Sequence, residues 1–398
     1  MKIAIIHFNL AAESGDPRVV FSLAQALKKL GHIVVIYTAQ FDAKYFPNLH
    51  KGLDIREIPP PARLAVSSTS KRTIDIIKER LSQKRVQAEA ARRIAAALDS
   101  DFDIIDCHND YSYQVSRPYR KRNPKAKIVY TMHNPPYYHA PKSNPVVNFL
   151  SIVNAKIELI KLRNFLPSID MIITLDEERK KMAEPLGLPV HILRIPVDFE
   201  SFKAPVKTFK KGKRDIILLS VGALSPVRKF EDTILAASIL RRSEYDARVI
   251  LICRDFWNEK IYRDFLLRLT KELDMEKYVD FRFEGATEKE LKAAQLESDF
   301  FIFPNHVNIW GMAAFEAMAA GLPLVVSRVT SVAEVLSDGK NALFSEPGNP
   351  ENIASKVEKL IKNPKLYFSI AKAGQLFVKE NLNWDVYAKK FLDFKNKE

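Results

Sequence analysis

Short continuous apolar runs alternate with helical stripes along the chain. Residues 2–8, KIAIIHF, are apolar except at Lys2 and His7, as a strand buried on both faces should be. A polar loop, NLAAESGD, follows. Asp16 stands where an N-cap belongs and Pro17 at the first helical position. Val20, Leu23, Ala24 and Leu27 then recur at i, i+3, i+4 and i+7, which lays one stripe along a helix, and Gly31 ends it. HIVVIYT (32–38) is the next strand, so the chain opens with a βαβ unit. DIIDCH (103–108), KIVYTMH (127–133) and MIITL (171–175) predict further buried strands. IILLSVG (216–222), ARVILIC (247–253), FFIFP (300–304) and LPLVVS (322–327) repeat the pattern, with helices near 230–240, 259–273 and 311–320. Two successive β/α/β sets predict an α/β fold of two Rossmann-like, doubly wound parallel sheets.

The pattern places the first domain at 1–196 and a linker rich in Lys and Pro at 197–213. The second domain takes 214–380, and 381–398 is a C-terminal helix expected to pack back on the first domain. The stretch 59–72, PPPARLAVSSTSKR, is predicted to be a mobile surface loop. Ligands of such folds bind beyond the carboxyl ends of the strands. With two sheets facing each other, the site is expected in a cleft lined by those strand ends.

Composition narrows the class. With 47% hydrophobic and 28% charged residues among 398, the chain has the means to build a sizeable core. No apolar run reaches the roughly 18 residues of a membrane span, and the N-terminus reads as a strand, not a signal peptide. The only cysteines, Cys107 and Cys253, exclude a disulfide scaffold and a cysteine zinc site and fit a cytoplasmic protein. The net charge of +14 is uneven: residues 1–195 hold 30 Lys and Arg against 19 Asp and Glu, residues 196–398 hold 32 against 29. The first half is therefore expected to meet an anionic partner.

Residues 71–93 carry eight cations against three acids, and 115–127 carry six against none. In 145–166, an apolar stripe (Val146, Phe149, Leu150, Val153, Ile157, Ile160) runs beside Lys156, Lys161 and Arg163. This predicts a peripheral face on anionic lipid at the inner side of a membrane; the other reading is a core helix between solvated basic helices. A nucleic-acid-binding protein fits the charge less well, because only Tyr119 interleaves the second basic run and no nucleic-acid motif appears.

Three strand ends carry candidate chemistry. In PNHVNIWGMAAFEAMAAGLPLVVS (304–327), a strand ends at Pro304, Gly311 closes a loop, and a helix of small residues begins with free N–H groups that suit an anion. Glu316 lies one turn on from Met312 and suits the hydroxyls of a ribose; the bland alternative is a buried, neutralised Glu. In SVGALSPVRKFED (220–232), a strand ends at Gly222, and Arg228 and Lys229 precede a helix, where a cation pair would hold a diphosphate. In YTMHNPPYY (130–138), His133 sits just past a strand end, with His108 at the end of the neighbouring strand. Neither a carboxylate nor a third histidine lies at ligand spacing, so no metal is expected. Asp101-Phe102-Asp103 precedes a strand and reads as a turn with a cap.

These stretches resemble the GT-B-fold, retaining, nucleotide-sugar-dependent glycosyltransferases of family 4 (group 1) over nearly the whole chain. The family's first loop and helix match SGDPRVVFSLAQALKKLGH, and its T-x-H matches Thr131-Met132-His133. Its N-G-V-D junction matches Ile195-Pro196-Val197-Asp198 in part. Its V-G-R-L-x-x-x-K matches Val221-Gly222-Ala223-Leu224 and then Arg228, and its E-x7-E region matches Asn308 through Glu316, followed by E-A-M-A-x-G-x-P at 316–323. The resemblance implies that Gly15 sits against the nucleotide phosphates and that His133 contacts the transferred sugar or the diphosphate. It implies that Arg228 replaces a phosphate-binding lysine, that Gly311, Met312 and Ala313 offer backbone donors, and that Glu316 holds the ribose. Ala223 stands in place of the usual arginine, which Lys229 is expected to offset, and Asn308 in place of the first glutamate.

The implied transfer needs no metal, no cofactor and no protein nucleophile. The leaving diphosphate would take the acceptor's proton on the same face while Arg228, Lys229 and the helix start stabilise its charge. The implied donor is a nucleotide-sugar, and the basic first half makes the expected acceptor a lipid-linked or membrane-surface glycan. A sugar-nucleotide epimerase of the same fold is the nearest alternative.

Overall fold

The apolar runs become the centres of two parallel sheets. The computed structural model describes residues 1–12, 15–60, 73–109, 111–138, 145–210, 212–256 and 258–394, with the backbone alone for 73–81 and 145–147. The first sheet is built from β1 (Lys2–Ile6), β3 (Ile33–Thr38), β5 (Asp54–Glu57), β6 (Ile104–His108), β7 (Lys127–Thr131), β8 (Met171–Thr174) and β9 (Val190–Ile192), in the order β5-β3-β1-β6-β7-β8-β9. The short β2 (Asn9–Leu10) and β4 (Gln40–Phe41) pair separately. The second sheet holds β10 (Asp215–Ala223), β11 (Asp246–Arg254), β12 (Val279–Arg282), β13 (Phe300–Phe303), β14 (Leu324–Ser327) and β15 (Leu343–Ser345), in the order β12-β11-β10-β13-β14-β15. Both orders reverse beside the first strand of the sheet, which is where such folds leave a crevice at the carboxyl ends.

Alternation along β1 shows why its run is continuous. Ala4 and Ile6 pack into one core cluster and Ile3 and Ile5 into another, one on each face. The second sheet is covered in the same way: Leu218 and Leu219 of β10 belong to different clusters. Besides the short β2 and β4, the strands that the patterning does not predict, β5, β9, β12 and β15, are the edges of the two large sheets. They are short, and β5, β9 and β12 are largely half-buried or exposed, so no continuous apolar run marks them.

The chain divides into two units, Met1–Ile195 with Trp384–Glu398, and Pro196–Asn383. Of the stretch 197–213, expected to be a linker, residue 211 lies outside the described residues, and apolar residues of the rest pack into the second unit. Val197 and Phe202 enter one of its core clusters and Phe209 the other, and Phe199–Phe202 forms a helical turn capped by Asp198. These apolar anchors are sparse against the Lys and Pro around them, which hides them from a compositional reading. The C-terminal helix, Trp384–Asp393, belongs to the first unit. It lies against the Gly15–Lys29 helix, buries Tyr387, Ala388 and Phe391, and pairs Asp385 with Lys29 at 2.8 Å. Of the expected loop at 59–72, residues 61–72 lie outside the described residues.

The Gly15–Lys29 helix begins one residue before the expected cap, so Asp16 sits inside its first turn. The Asp16 carboxylate accepts from Asn109 Nδ2 at 3.0 Å. The Asp101–Asp103 turn serves Lys2: Asp101 meets its Nζ at 2.5 Å and Asp103 accepts from its backbone N–H at 2.7 Å. Cys107 and Cys253 are both buried as free thiols.

Candidate functional site

In the second unit, β10 runs to Ala223, and the short turn Pro226–Arg228 leads into the Phe230–Arg242 helix. Arg228 lies beside Gly222: a Cβ on that glycine would come within 3.4 Å of the Arg228 Cδ and Nε. Among the described residues no carboxylate pairs with Arg228. Burial pushes its guanidinium down to about 10, which still leaves it charged at neutral pH. A half-buried cation with no carboxylate paired to it among the described residues is poised for an incoming anion.

Lys229 differs. Its φ of 54° puts it in the left-handed region at the head of the helix, and its Nζ pairs with Glu231 at 3.3 Å. Glu231 also accepts from the Tyr262 hydroxyl. Lys229 is therefore already partly neutralised by its own helix, and Arg228 is the stronger anion ligand of the two.

The loop after β13 is tied directly to this turn. The His306 backbone N–H donates to the Val227 carbonyl at 3.3 Å, and its ring Nε2 meets Asp232 Oδ2 at 2.9 Å. The ring rests on Gly348, where a Cβ would sit 2.9 Å from His306 Cε1. The structure thus brings the 220–232 and 304–316 stretches together within one unit. Gly311 precedes the Met312–Ala319 helix with no side-chain cap, leaving the helix's first N–H groups without a side-chain acceptor. Met312 and Ala313 are half-buried, and Glu316 is buried further along the same helix. Asn308 donates to Glu334 Oε1 at 3.3 Å, while its own Oδ1 is buried without a partner. His306, Asp232 and Glu334 escaped the sequence reading. Their signal is contact across loops, which spacing along the chain does not carry.

In the first unit, the register pairs Ile6 with Cys107 and His108 with Thr131, so β1, β6 and β7 end level with one another. His133 lies buried beyond β7, edge-on to His108 with ring centroids 4.8 Å apart, and His7 lies 6.2 Å from His108. The histidine pair expected from the sequence is thus a trio, with Asp106 and Asp16 beside it. His7 was missed because its distance along the chain conceals that β1 and β6 are neighbours. Gly15, at the head of the facing helix, precedes Asp16, which approaches His133 Nδ1 at 3.7 Å.

The hydrogen bonds fix two tautomers. His108 Nδ1 donates to Asp106, which also accepts from Thr131 Oγ1 at 2.6 Å. His7 Nδ1 accepts from the Asn9 backbone N–H at 3.3 Å, so its proton is on Nε2. The Nε2 atoms of His7 and His108, both ring nitrogens of His133, and Asn109 Oδ1 are buried with no partner among the described residues. Imidazoles with free ring nitrogens match sugar hydroxyls. The described residues include no group of three His, Cys, Asp or Glu arranged to hold a metal ion.

Burial pushes His7 down to about 4 and lowers His133 as well. Burial alone would raise Asp16, but its facing histidines outweigh it and hold the carboxyl well below the usual range. Between pH 6.5 and 4 the unfolded chain therefore takes up a proton at His7 that the folded chain refuses. Stability is expected to be full above pH 6.5 and to fall on acidification through that window, by on the order of 3 kcal/mol for His7. Thermal melts of the wild type and His7→Gln across pH 4–7.5 check this. The variant should show a shallower slope, and parallel slopes would show that His7 is not the group responsible.

Comparison with known proteins places each unit. Residues 14–201 match the model of Glycosyltransferase Family 4, and residues 203–377 match that of Glycosyl transferases group 1. Mannosylfructose-phosphate synthase of Agrobacterium fabrum is 25% identical over 96% of this chain and 86% of its own length. Among solved structures, sucrose-phosphate synthase of Thermosynechococcus elongatus superposes with a TM-score of 0.75 at 17% identity, covering 100% of this chain and 98% of that one. HepE of Anabaena, in complex with UDP and glucose, superposes with a TM-score of 0.72 at 14% identity and covers 100% of both chains. At these identities the structural likeness establishes the fold, which is GT-B.

Proposed function

Because the chain belongs to the family 4 and group 1 glycosyltransferases, we propose that it transfers a sugar from a nucleotide-sugar with retention of configuration. The acceptor is a hydroxyl of a lipid-linked or membrane-surface glycan. The observation that carries the donor side is Arg228, a partly desolvated cation with no carboxylate partner among the described residues, in a turn hydrogen-bonded to the loop that leads to Gly311. Arg228 and the N–H groups at Met312 and Ala313 stabilise the departing diphosphate. Lys229 contributes less, because Glu231 already shares it. Glu316 accepts from the ribose hydroxyls, Asn308 contacts the sugar, and Gly15 leaves room for the phosphates.

In the proposed reaction the sugar–phosphate bond breaks as the acceptor oxygen approaches on the same face. The acceptor proton passes to the leaving diphosphate, and no covalent enzyme adduct forms. His133, kept neutral by burial, hydrogen-bonds a hydroxyl of the transferred sugar. The support for an acceptor at an anionic surface is the charge excess of residues 1–195.

A thermal-shift screen against UDP-, GDP- and ADP-sugars tests the donor. One base series should raise the melting temperature, by RT ln(1 + [L]/Kd) in free energy. Anomer analysis of the product then tests the stereochemistry. An inverted product would overturn the retaining mechanism, and release of an altered sugar without acceptor would make the protein an epimerase.

A further inference from the structure

The Pro145–Arg163 helix turns an apolar stripe outward and a carboxylate inward. Its only acid, Glu158, is fully buried, where Oε1 meets Lys84 Nζ at 2.5 Å and Lys161 Nζ at 3.3 Å; Lys84 also donates to Asn154. Leu162 enters the core and Leu159 packs against it, but the other large apolar residues point away: Phe149 is 64% exposed, Ile160 61%, Ile157 45% and Leu150 41%, with Ile152 and Val153 also in the open. At 100° per residue, Phe149, Val153, Ile157 and Ile160 fall within one quadrant of the helix, opposite Glu158. No other helix among the described residues exposes so many large apolar side chains. The exposed cations Lys156 and Arg163 border the stripe on one side. The depression next to Phe165, just past the helix, is lined by Arg92, Arg117 and Lys121.

We propose that this helix is a docking surface for a bilayer containing anionic lipid. Its apolar stripe enters the boundary between headgroups and acyl chains while Lys156 and Arg163 meet the lipid phosphates. Charge decides the occupant. A second copy of the chain seated about a two-fold axis would bring Lys156 and Arg163 toward their own counterparts, while the one acid of the helix, Glu158, is buried and already paired. An anionic bilayer satisfies both the apolar and the cationic parts. No helix among the described residues is long and apolar enough to cross a membrane, so the contact is peripheral. The assignment deepens the acceptor side of the proposed function, yet it stands on the helix alone.

Flotation of the full-length protein with vesicles of phosphatidylcholine, with and without phosphatidylglycerol, tests it. The wild type should float with the anionic vesicles. Ile157→Glu combined with Ile160→Glu should reduce partitioning by about tenfold or more, since each apolar contact becomes an unfavourable charge. Lys156→Gln with Arg163→Gln should bring binding to anionic vesicles toward that to neutral ones. All four positions are exposed, so melting temperature and nucleotide-sugar binding should stay at wild-type values. Equal flotation of the double glutamate variant, or no preference for anionic vesicles, would overturn the proposal. So would a wild-type dimer in light scattering that the glutamates dissociate. Failure of the wild type to bind any nucleotide-sugar would count against the transferase mechanism and leave this surface intact.

Discussion

Arg228→Ala is expected to lower kcat by about 10²–10³-fold with a smaller change in KM, measured by release of the nucleoside diphosphate. The charge on the diphosphate grows as the sugar departs, so a cation aimed there helps the transition state more than the bound donor. Arg228 is suited to this because it gives none of its charge to a carboxylate among the described residues, whereas Lys229 is shared with Glu231. Arg228→Lys keeps the charge but loses the planar fork, and should cost about tenfold. Lys229→Ala should cost less than Arg228→Ala. An Arg228→Ala enzyme with unchanged kcat would take this residue out of the reaction.

Gly311→Ala is expected to be nearly as damaging, for a steric reason. A Cβ at 311 would lie 2.3 Å from Cζ and 2.7 Å from Cε2 of Phe303. Phe303 is buried in the core of the second unit and has little room to retreat. Overpacking of this kind should destabilise the protein by about 1–3 kcal/mol. A shift of about 1 Å in the helix start should cost about 10²-fold in kcat. Combining Gly311→Ala with Phe303→Leu opens space for the methyl group and should restore part of both. If the single variant melts and turns over like the wild type, the close approach is not what Gly311 provides.

The central strands could be read from the chain because burial on both faces demands uninterrupted apolar residues. The edges β5, β9, β12 and β15 could not, because an edge strand has fewer apolar positions to declare itself. The candidate site divides in the same way. Gly311 and Glu316 sit on one continuous loop and helix, so spacing reveals them, and Arg228 follows its own strand end. His7, His306, Asp232 and Glu334 join through tertiary contact between elements far apart in the chain. The Pro145–Arg163 helix is partly legible: its stripe and cations stand in the sequence, but only the structure shows which face turns outward.

The Trp384–Asp393 helix has a consequence for biosynthesis. It seats Tyr387, Ala388 and Phe391 in the core of the first unit, against residues from near the start of the chain. A ribosome therefore delivers all of the second unit before the first can close. Until then the apolar face of the Gly15–Lys29 helix that Tyr387, Ala388 and Phe391 cover stays open to solvent.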